Sequence, residues 1–234
     1  FKMEKTLIFT ATYNEVKNVE ELIAGIKSNC EYADILIVDD NSPDGTGILL
    51  KKIEQEDNKL KVIIRDGKLG LDTAHKFAYE YALSNNYHYL ITMDADLSHN
   101  PQEIPTFLKN VYDNDFVLGS RYMTGGKNKL NLFRFLLSFF GNKLIKHLLN
   151  LKCTEFTSSY RAFNLKKMKD FHMEKINSKG YSFFMETIYQ INKQGFKIIE
   201  IPIIFEVRLQ GESKIPKVEV FRTLLNIFRL YFSK

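Results

Sequence analysis

Asp94 and Asp96 stand one residue apart, directly after the apolar run Tyr89-Leu90-Ile91-Thr92-Met93. Two neighbouring carboxylates suit Mg²⁺ or Mn²⁺ bridging to a diphosphate, because such a cation takes one or two carboxylates and fills its other positions with phosphate and water. A lone Asp-x-Asp is equally at home in a solvated loop, so its surroundings must decide. The run before the pair reads as a buried strand, and Ser98-His99-Asn100-Pro101 after it reads as a loop. The carboxyl end of a strand is where an α/β sheet holds ligands. His75, His88, His99, His147 and His172 are scattered and form no recognisable catalytic constellation; His99 is only a loop neighbour of the pair. Cys30 and Cys153 lie far apart without metal-ligand spacing, which argues against a disulfide framework or a zinc site.

Three further apolar runs share this pattern. Thr6-Leu7-Ile8-Phe9-Thr10 leads into Ala11-Thr12-Tyr13-Asn14-Glu15, and Ile35-Leu36-Ile37-Val38 into Asp39-Asp40-Asn41-Ser42-Pro43-Asp44-Gly45-Thr46. Val62-Ile63-Ile64-Arg65 leads into Asp66-Gly67-Lys68-Leu69-Gly70-Leu71. Helix-like segments separate the first three runs, which is the βαβ alternation of a mostly parallel sheet. All four polar loops then gather on one edge, where a nucleotide can lie. With 234 residues, 44% of them apolar, and no repeat or linker, the sequence predicts one domain over residues 1–234.

The net charge of +5 hides an asymmetry: residues 1–120 carry 12 Lys/Arg and 20 Asp/Glu, and residues 121–234 carry 21 and 8. The basic half can face phosphates, an acidic membrane surface or nucleic acid. Nucleic acid is the weakest of these, since no motif of that class is present. No apolar run reaches the ~18–20 residues of a spanning helix. Residues 130–149 and 218–234 nonetheless read as amphipathic helices that can lie in a membrane interface, or pack on the domain or on a partner. In the first, Arg134, Ser138 and Asn142 share a narrow polar stripe that can point towards a ligand, with Lys143, Lys146 and His147 on a separate flank. In the second, Arg222, Thr223, Asn226 and Arg229 share one face, and Leu224, Leu225, Phe228, Tyr231 and Phe232 the other.

From about Thr6 to Lys214 the chain resembles the inverting GT-A glycosyltransferases, specifically the dolichyl- or polyprenyl-phosphate mannose synthases. Six motifs carry the resemblance in the family's order: Thr12-Tyr13-Asn14-Glu15, Val38 to Thr46, Lys68-Leu69-Gly70-Leu71, Asp94-Ala95-Asp96-Leu97-Ser98-His99, Gly119-Ser120-Arg121-Tyr122 and Arg208-Leu209-Gln210-Gly211-Glu212-Ser213-Lys214. It implies an α/β fold: a Rossmann-like GT-A domain with a mixed, mostly parallel sheet flanked by helices, and peripheral amphipathic helices. The implied activity is metal-dependent transfer of mannose from GDP-mannose to a polyprenyl (dolichyl-type) monophosphate, with inversion.

The resemblance also assigns roles. Tyr13, Glu15, Val38 and Asp40 match positions that hold base and ribose, and Ala11 occupies a usual proline position with its backbone still able to contact the base. Asp94, Ala95 and Asp96 match the metal and diphosphate strip, with Asp96 the more direct ligand of Mg²⁺ or Mn²⁺. Arg121, Arg208 and Lys214 supply positive charge to the leaving diphosphate, the last two from a closing loop. Arg134 and Ser138 match an R-x-x-x-S helix resembling an acceptor-phosphate clamp. Asp72, Phe184, Glu155 and Ser159 depart from the usual glycine, glutamine, aspartate and glycine, and Leu130 stands where a tryptophan is often found.

Three alternatives stay open. The donor can be UDP-glucose or another nucleotide sugar, the acceptor a sugar hydroxyl with Glu186 as general base, or the chain a non-catalytic nucleotide-sugar-binding subunit. Some members carry spanning helices after the catalytic domain; here the expectation is peripheral attachment to the cytoplasmic face of a membrane, attachment through a membrane-embedded partner subunit, or truncation before a spanning region.

Overall fold

The computed structural model describes residues 4–128, 132–206 and 217–232. The four apolar runs are strands: β1 (Thr6–Thr12), β2 (Asp34–Asp39), β3 (Leu60–Ile64) and β4 (Tyr89–Thr92), separated by α1 (Val19–Asn29), α2 (Thr46–Glu56) and α3 (Leu71–Ser84). Then follow α4 (Ile104–Asp113), β5 (Phe116–Ser120), β6 (Lys127–Asn128), α5 (Leu132–Leu149), β7 (Arg161–Asn164), α6 (Tyr181–Lys193), β8 (Ile198–Pro202), β9 (Ile204–Phe205) and α7 (Lys217–Phe232). The main sheet has the order β3-β2-β1-β4-β7-β5-β8. All its neighbours are parallel except β7, which runs antiparallel between β4 and β5. β6 and β9 form a small parallel pair beside it.

The strands are continuously apolar because both faces are covered. Leu7, Phe9, Leu36 and Val38 enter one core cluster, while Ile8, Ile35 and Ile37 enter the other. On the second face α1 buries Val19, Leu22, Ile23 and Ile26, the i, i+3, i+4, i+7 stripe of an amphipathic helix. From β1 the chain moves out to β2 and β3, then crosses back to β4 on the other side of β1. That reversal is a topological switch point, and it opens a crevice at the carboxyl ends of β1, β2 and β4.

The two predicted amphipathic helices form, with an orientation that matters. In α5 the polar Asn142 is buried with Ile145 and Leu149, while Leu136, Phe140 and Leu144 are exposed. In α7 Ile227 and Leu230 are buried, while Leu225, Phe228 and Phe232 are 55%, 53% and 79% exposed. The polar stripes hydrogen-bond inward. Asn142 Oδ1 accepts from the Phe156 N–H at 2.9 Å, and Thr223 and Ser182 share a hydroxyl bond of 3.2 Å. The two helices pack on one another, so their exposed apolar residues lie on neighbouring elements. Among the described residues no helix is long and apolar enough to cross a membrane.

Candidate functional site

Strand β4 delivers Asp94 and Asp96 to the crevice, and each carboxylate is held by a serine. Asp96 is buried, and its Oδ1 accepts from the Ser98 N–H at 3.1 Å and the Ser98 hydroxyl at 2.5 Å. Between them Leu97 has φ 62°, the left-handed region. A leucine there costs about 1–2 kcal/mol, which the short Asp96–Ser98 turn offsets. Asp94 Oδ1 accepts from the Ser159 hydroxyl at 2.5 Å. The Asp94 N–H donates to Nδ1 of His99 at 3.0 Å, so the imidazole proton sits on Nε2. Burial holds the His99 pKa below its ordinary value, against the pull of Asp94 and Asp96. A neutral His99 is therefore a backbone anchor for the pair.

The rim at the ends of β1 and β2 is knitted by short polar side chains. The Thr12 hydroxyl donates to Asp39 at 2.8 Å, and Asp39 accepts from the Ser42 N–H and hydroxyl. Asn14, itself at φ 61°, donates its N–H to the Ser42 hydroxyl, and the Glu15 N–H donates to Thr46 Oγ1 at 3.0 Å. Asp44 accepts from Thr46 and from the Val16 N–H; its partial burial raises its pKa, but these donors outweigh it and leave it lowered. Glu15 Oε2 accepts from the Asn18 amide at 2.7 Å. Asp40 pairs with the Arg65 guanidinium and accepts from the Gly70 N–H at 3.2 Å. Lys68 Nζ lies 4.0 Å above the centre of the Tyr13 ring.

The opposite wall is the segment before β7. Glu155 is fully buried; its carboxylate accepts from Arg121 Nε at 2.8 Å and from the Thr157 N–H at 2.9 Å and hydroxyl at 2.8 Å. Burial alone raises the Glu155 pKa, but the adjacent Arg121 outweighs it and holds the carboxyl below its usual range. Glu200 braces the same segment, accepting from the Thr154 N–H at 2.8 Å and the Glu155 N–H at 3.1 Å. Buried Arg161 donates to the carbonyls of Ser158 (2.8 Å) and Phe184 (3.0 Å), and desolvation brings its pKa down to about 9.

Together these elements enclose a cavity of about 480 Å³. It is lined by the expected Ala11, Tyr13, Glu15, Asp40, Asp94, Ala95 and Asp96, and also by Lys17, Asn18, Asp44, Lys68, Thr157, Ser159, Tyr181 and Phe184. Several expected site residues are placed elsewhere. Val38 alternates with Asp39 and points into the core, so only its backbone is near the rim. Arg121 stands behind the wall, paired with Glu155 and bonded to Thr157 at 2.9 Å, with its guanidinium 4.5 Å from the Phe205 ring centre. Ser138 does not line the cavity; it accepts the Tyr122 hydroxyl at 2.5 Å. Glu186 is also absent from the lining: it is buried, accepts from the Ser178 N–H at 2.8 Å and pairs with Arg229 of α7 at 2.5 Å. Asp72, the residue in place of glycine, accepts from the Gly180 N–H at 3.0 Å and so ties α3 to the start of α6. The Arg134 side chain, Arg208 and Lys214 lie outside the described residues.

The carboxylate pair fits a hard cation. Both ligands are oxygen donors already fixed by hydroxyls, and among the described residues no group of three or more His, Cys, Asp and Glu forms a complete cage. A cation held there completes its shell with phosphate oxygens and water.

A parallel-sheet switch point with an Asp-x-Asp strip at its crevice is a ligand site of the α/β kind, and the fold is that of the GT-A glycosyltransferases. The chain belongs to glycosyl transferase family 2, whose model matches residues 7–171. It is 33% identical over 226 residues to an undecaprenyl-phosphate mannosyltransferase of Micrococcus luteus, covering 96% of this chain and 93% of that one. To a polyprenol monophosphomannose synthase of Mycolicibacterium smegmatis it is 34% identical over 214 residues, covering 90% and 81%. Solved structures of the same fold include a Mycobacterium tuberculosis glucosyl-3-phosphoglycerate synthase in complex with Mn²⁺, UDP and phosphoglyceric acid (TM-score 0.66, 13% identity, 99% of this chain and 78% of that one). A Pyrobaculum calidifontis mannosyltransferase in complex with GDP-mannose and Mn²⁺ gives a TM-score of 0.62 at 15% identity, over 99% of this chain and 65% of that one.

Proposed function

We propose that the protein transfers mannose from GDP-mannose to a polyprenyl (dolichyl-type) monophosphate, with inversion, using Mg²⁺ or Mn²⁺ held by Asp94 and Asp96. The observation that carries this reading is the cavity in which that carboxylate pair faces the Tyr13, Glu15 and Asp40 rim, in a chain 33% identical along 96% of its length to a polyprenyl-phosphate mannosyltransferase. Tyr13 offers an apolar face to the base, and Glu15 and Asp40 offer acceptors to base or ribose donors. The bound cation supplies charge stabilisation to the departing diphosphate. Arg208 and Lys214 add to it by resemblance, whereas Arg121 acts through Glu155 and Thr157 by holding the wall. Arg134 and Ser138 are proposed as the acceptor clamp, with the Tyr122 hydroxyl orienting Ser138.

A phosphate acceptor needs no positioned general base. Its second pKa of ~6 leaves it largely ionised at neutral pH. A phosphate oxygen then attacks the anomeric carbon in line, the bond to the nucleoside diphosphate breaks, and its electron pair leaves on the diphosphate oxygen. Among the described residues no histidine lines the cavity, and Glu186 is held by Arg229 outside it. This favours a lipid phosphate over a sugar hydroxyl, which requires a base.

The outward apolar faces of α5 and α7 support peripheral attachment to a membrane, at the cytoplasmic face where nucleotide sugars are found, with Lys143 and Lys146 near lipid headgroups. The test is transfer of label from GDP-[¹⁴C]mannose to a polyprenyl phosphate, read as counts entering the organic phase, with UDP-[¹⁴C]glucose in parallel. Counts from GDP-mannose alone are expected. Counts from UDP-glucose alone contradict the donor assignment and keep the acceptor.

A further inference from the structure

We propose that Ser159 is a positioning residue that presents Asp94 to the divalent cation, acting as the counterpart of Ser98 at Asp96; this rests on the metal assignment above. Two carboxylates two positions apart repel one another until a cation arrives, so an unrestrained pair would splay and lose its shared geometry. In this structure each has one oxygen engaged by a serine hydroxyl at 2.5 Å: Asp96 Oδ1 by Ser98 and Asp94 Oδ1 by Ser159. A carboxylate oxygen carries more than one lone pair, so each Oδ1 can keep its serine bond while the carboxylate meets a cation. The two bonds therefore restrict rotation of the carboxylates and favour one orientation of the pair.

Ser98 is a neighbour of Asp96 in sequence, but Ser159 arrives from 65 residues away and is held firmly. It is 2% exposed. Its carbonyl accepts from the Thr92 hydroxyl at 2.5 Å, so β4 grips Ser159 two residues before the aspartate that Ser159 grips in return. Tyr160 beside it is stacked on Phe107 with ring centres 4.1 Å apart, and its hydroxyl donates to the Asn100 carbonyl at 3.0 Å. Upstream, Glu155 and Glu200 fix the backbone from Thr154 to Thr157. The hydroxyl is thus carried on a rigid support and ties the segment before β7 to the segment after β4. Hydrogen-bond partners behind a metal ligand fix its orientation, and losing one typically costs ~10–100-fold in metal affinity.

The test is Mn²⁺ binding to the full chain in the presence of GDP, read from the electron paramagnetic resonance signal of free Mn²⁺, for wild type, Ser159→Ala, Ser159→Thr and Asp96→Ala. Ser159→Ala is expected to weaken Mn²⁺ at least ~10-fold with its melting temperature within a few degrees of wild type, and Ser159→Thr to restore affinity to within ~3-fold. Ser159→Ala binding Mn²⁺ as tightly as wild type, while Asp96→Ala does not, overturns the role of Ser159 and leaves the metal site standing. Wild type and Asp96→Ala binding Mn²⁺ equally, or neither binding it, overturns the metal assignment and this role with it. If Ser159→Ala melts much lower, Ser159→Gly replaces it, and the same affinity comparison decides.

Discussion

The cavity rim and the α5–α7 surface handle polarity in opposite ways. At the rim, carboxylates are gathered where the sheet opens, and each is fixed by short hydroxyl or amide donors, as with Thr12 on Asp39, Asn18 on Glu15 and Ser159 on Asp94. On α5 and α7 some polar residues, such as Asn142 and Thr223, bond inward, while several large apolar residues stay in water, with Phe140 at 61% and Phe228 at 53% exposure. The first arrangement prepares fixed charge for a polar ligand at the cost of repulsion among acids. The second leaves apolar area in water unless something apolar covers it. On the proposed function, the first is the surface for a nucleotide and the second the surface for a lipid phase.

The largest disturbance of the rim comes from behind it. Arg121→Ala leaves Glu155 buried and uncompensated, which costs about 3–5 kcal/mol. Urea unfolding should show that loss, and Arg121→Lys should recover only part of it, since one ammonium cannot bond Glu155 and Thr157 as the guanidinium does. On the other surface, the double change Leu225→Glu and Phe228→Glu should weaken sedimentation with anionic vesicles at least ~10-fold and leave GDP binding unchanged. If vesicle binding survives, the outward apolar face has another purpose.

Smaller effects sharpen the division. Glu186→Gln keeps an acceptor for the Ser178 N–H and replaces the ion pair with Arg229 by a bond from a charged donor to a neutral acceptor, so about 1 kcal/mol of stability is expected to go while turnover persists. A general base would lose ~10²–10⁴ in rate on the same change, so single-turnover transfer distinguishes the two. A pH-dependent effect is expected at Glu103, whose burial, aided by Glu206, raises its pKa to about 7 although its Oε1 accepts the Ile204 N–H. The native state therefore holds this proton more tightly than the unfolded chain does. Its contribution to stability is full below the ordinary carboxylate range and is lost as pH rises through about 7. Glu103→Gln should flatten the fall in melting temperature between pH 5 and pH 8, measured by calorimetry.

Much of the rim was legible in the sequence because local rules govern it. Burial on both faces writes continuous apolar runs, and each run's end names its loop, so β1 to β4 and the placement of Tyr13, Glu15, Asp40, Asp94 and Asp96 follow from composition and order. Val38 is the exception that period-two alternation could have caught, since it shares its face with Leu36. Glu155 and Ser159 were marked by the resemblance, but their placement in the wall was not legible. Ser159 and Thr157 reach the cavity only because β7 inserts antiparallel between β4 and β5, and no local pattern announces that pairing. The pairing of Arg121 with Glu155, 34 residues away, had no local signal. His99 likewise lacked a signal, since its role is to accept a backbone N–H in a buried turn. The helices α5 and α7 were legible as amphipathic, but which face meets the protein depended on partners such as Phe156 and Glu186.

The most direct test of the account is transfer of mannose label from GDP-mannose to polyprenyl phosphate in vesicles, with divalent cations removed by EDTA and then restored. The account predicts that transfer stops on chelation, returns with Mg²⁺ or Mn²⁺, and fails to return in Asp96→Ala. Undiminished transfer in EDTA, or in Asp96→Ala, would contradict it.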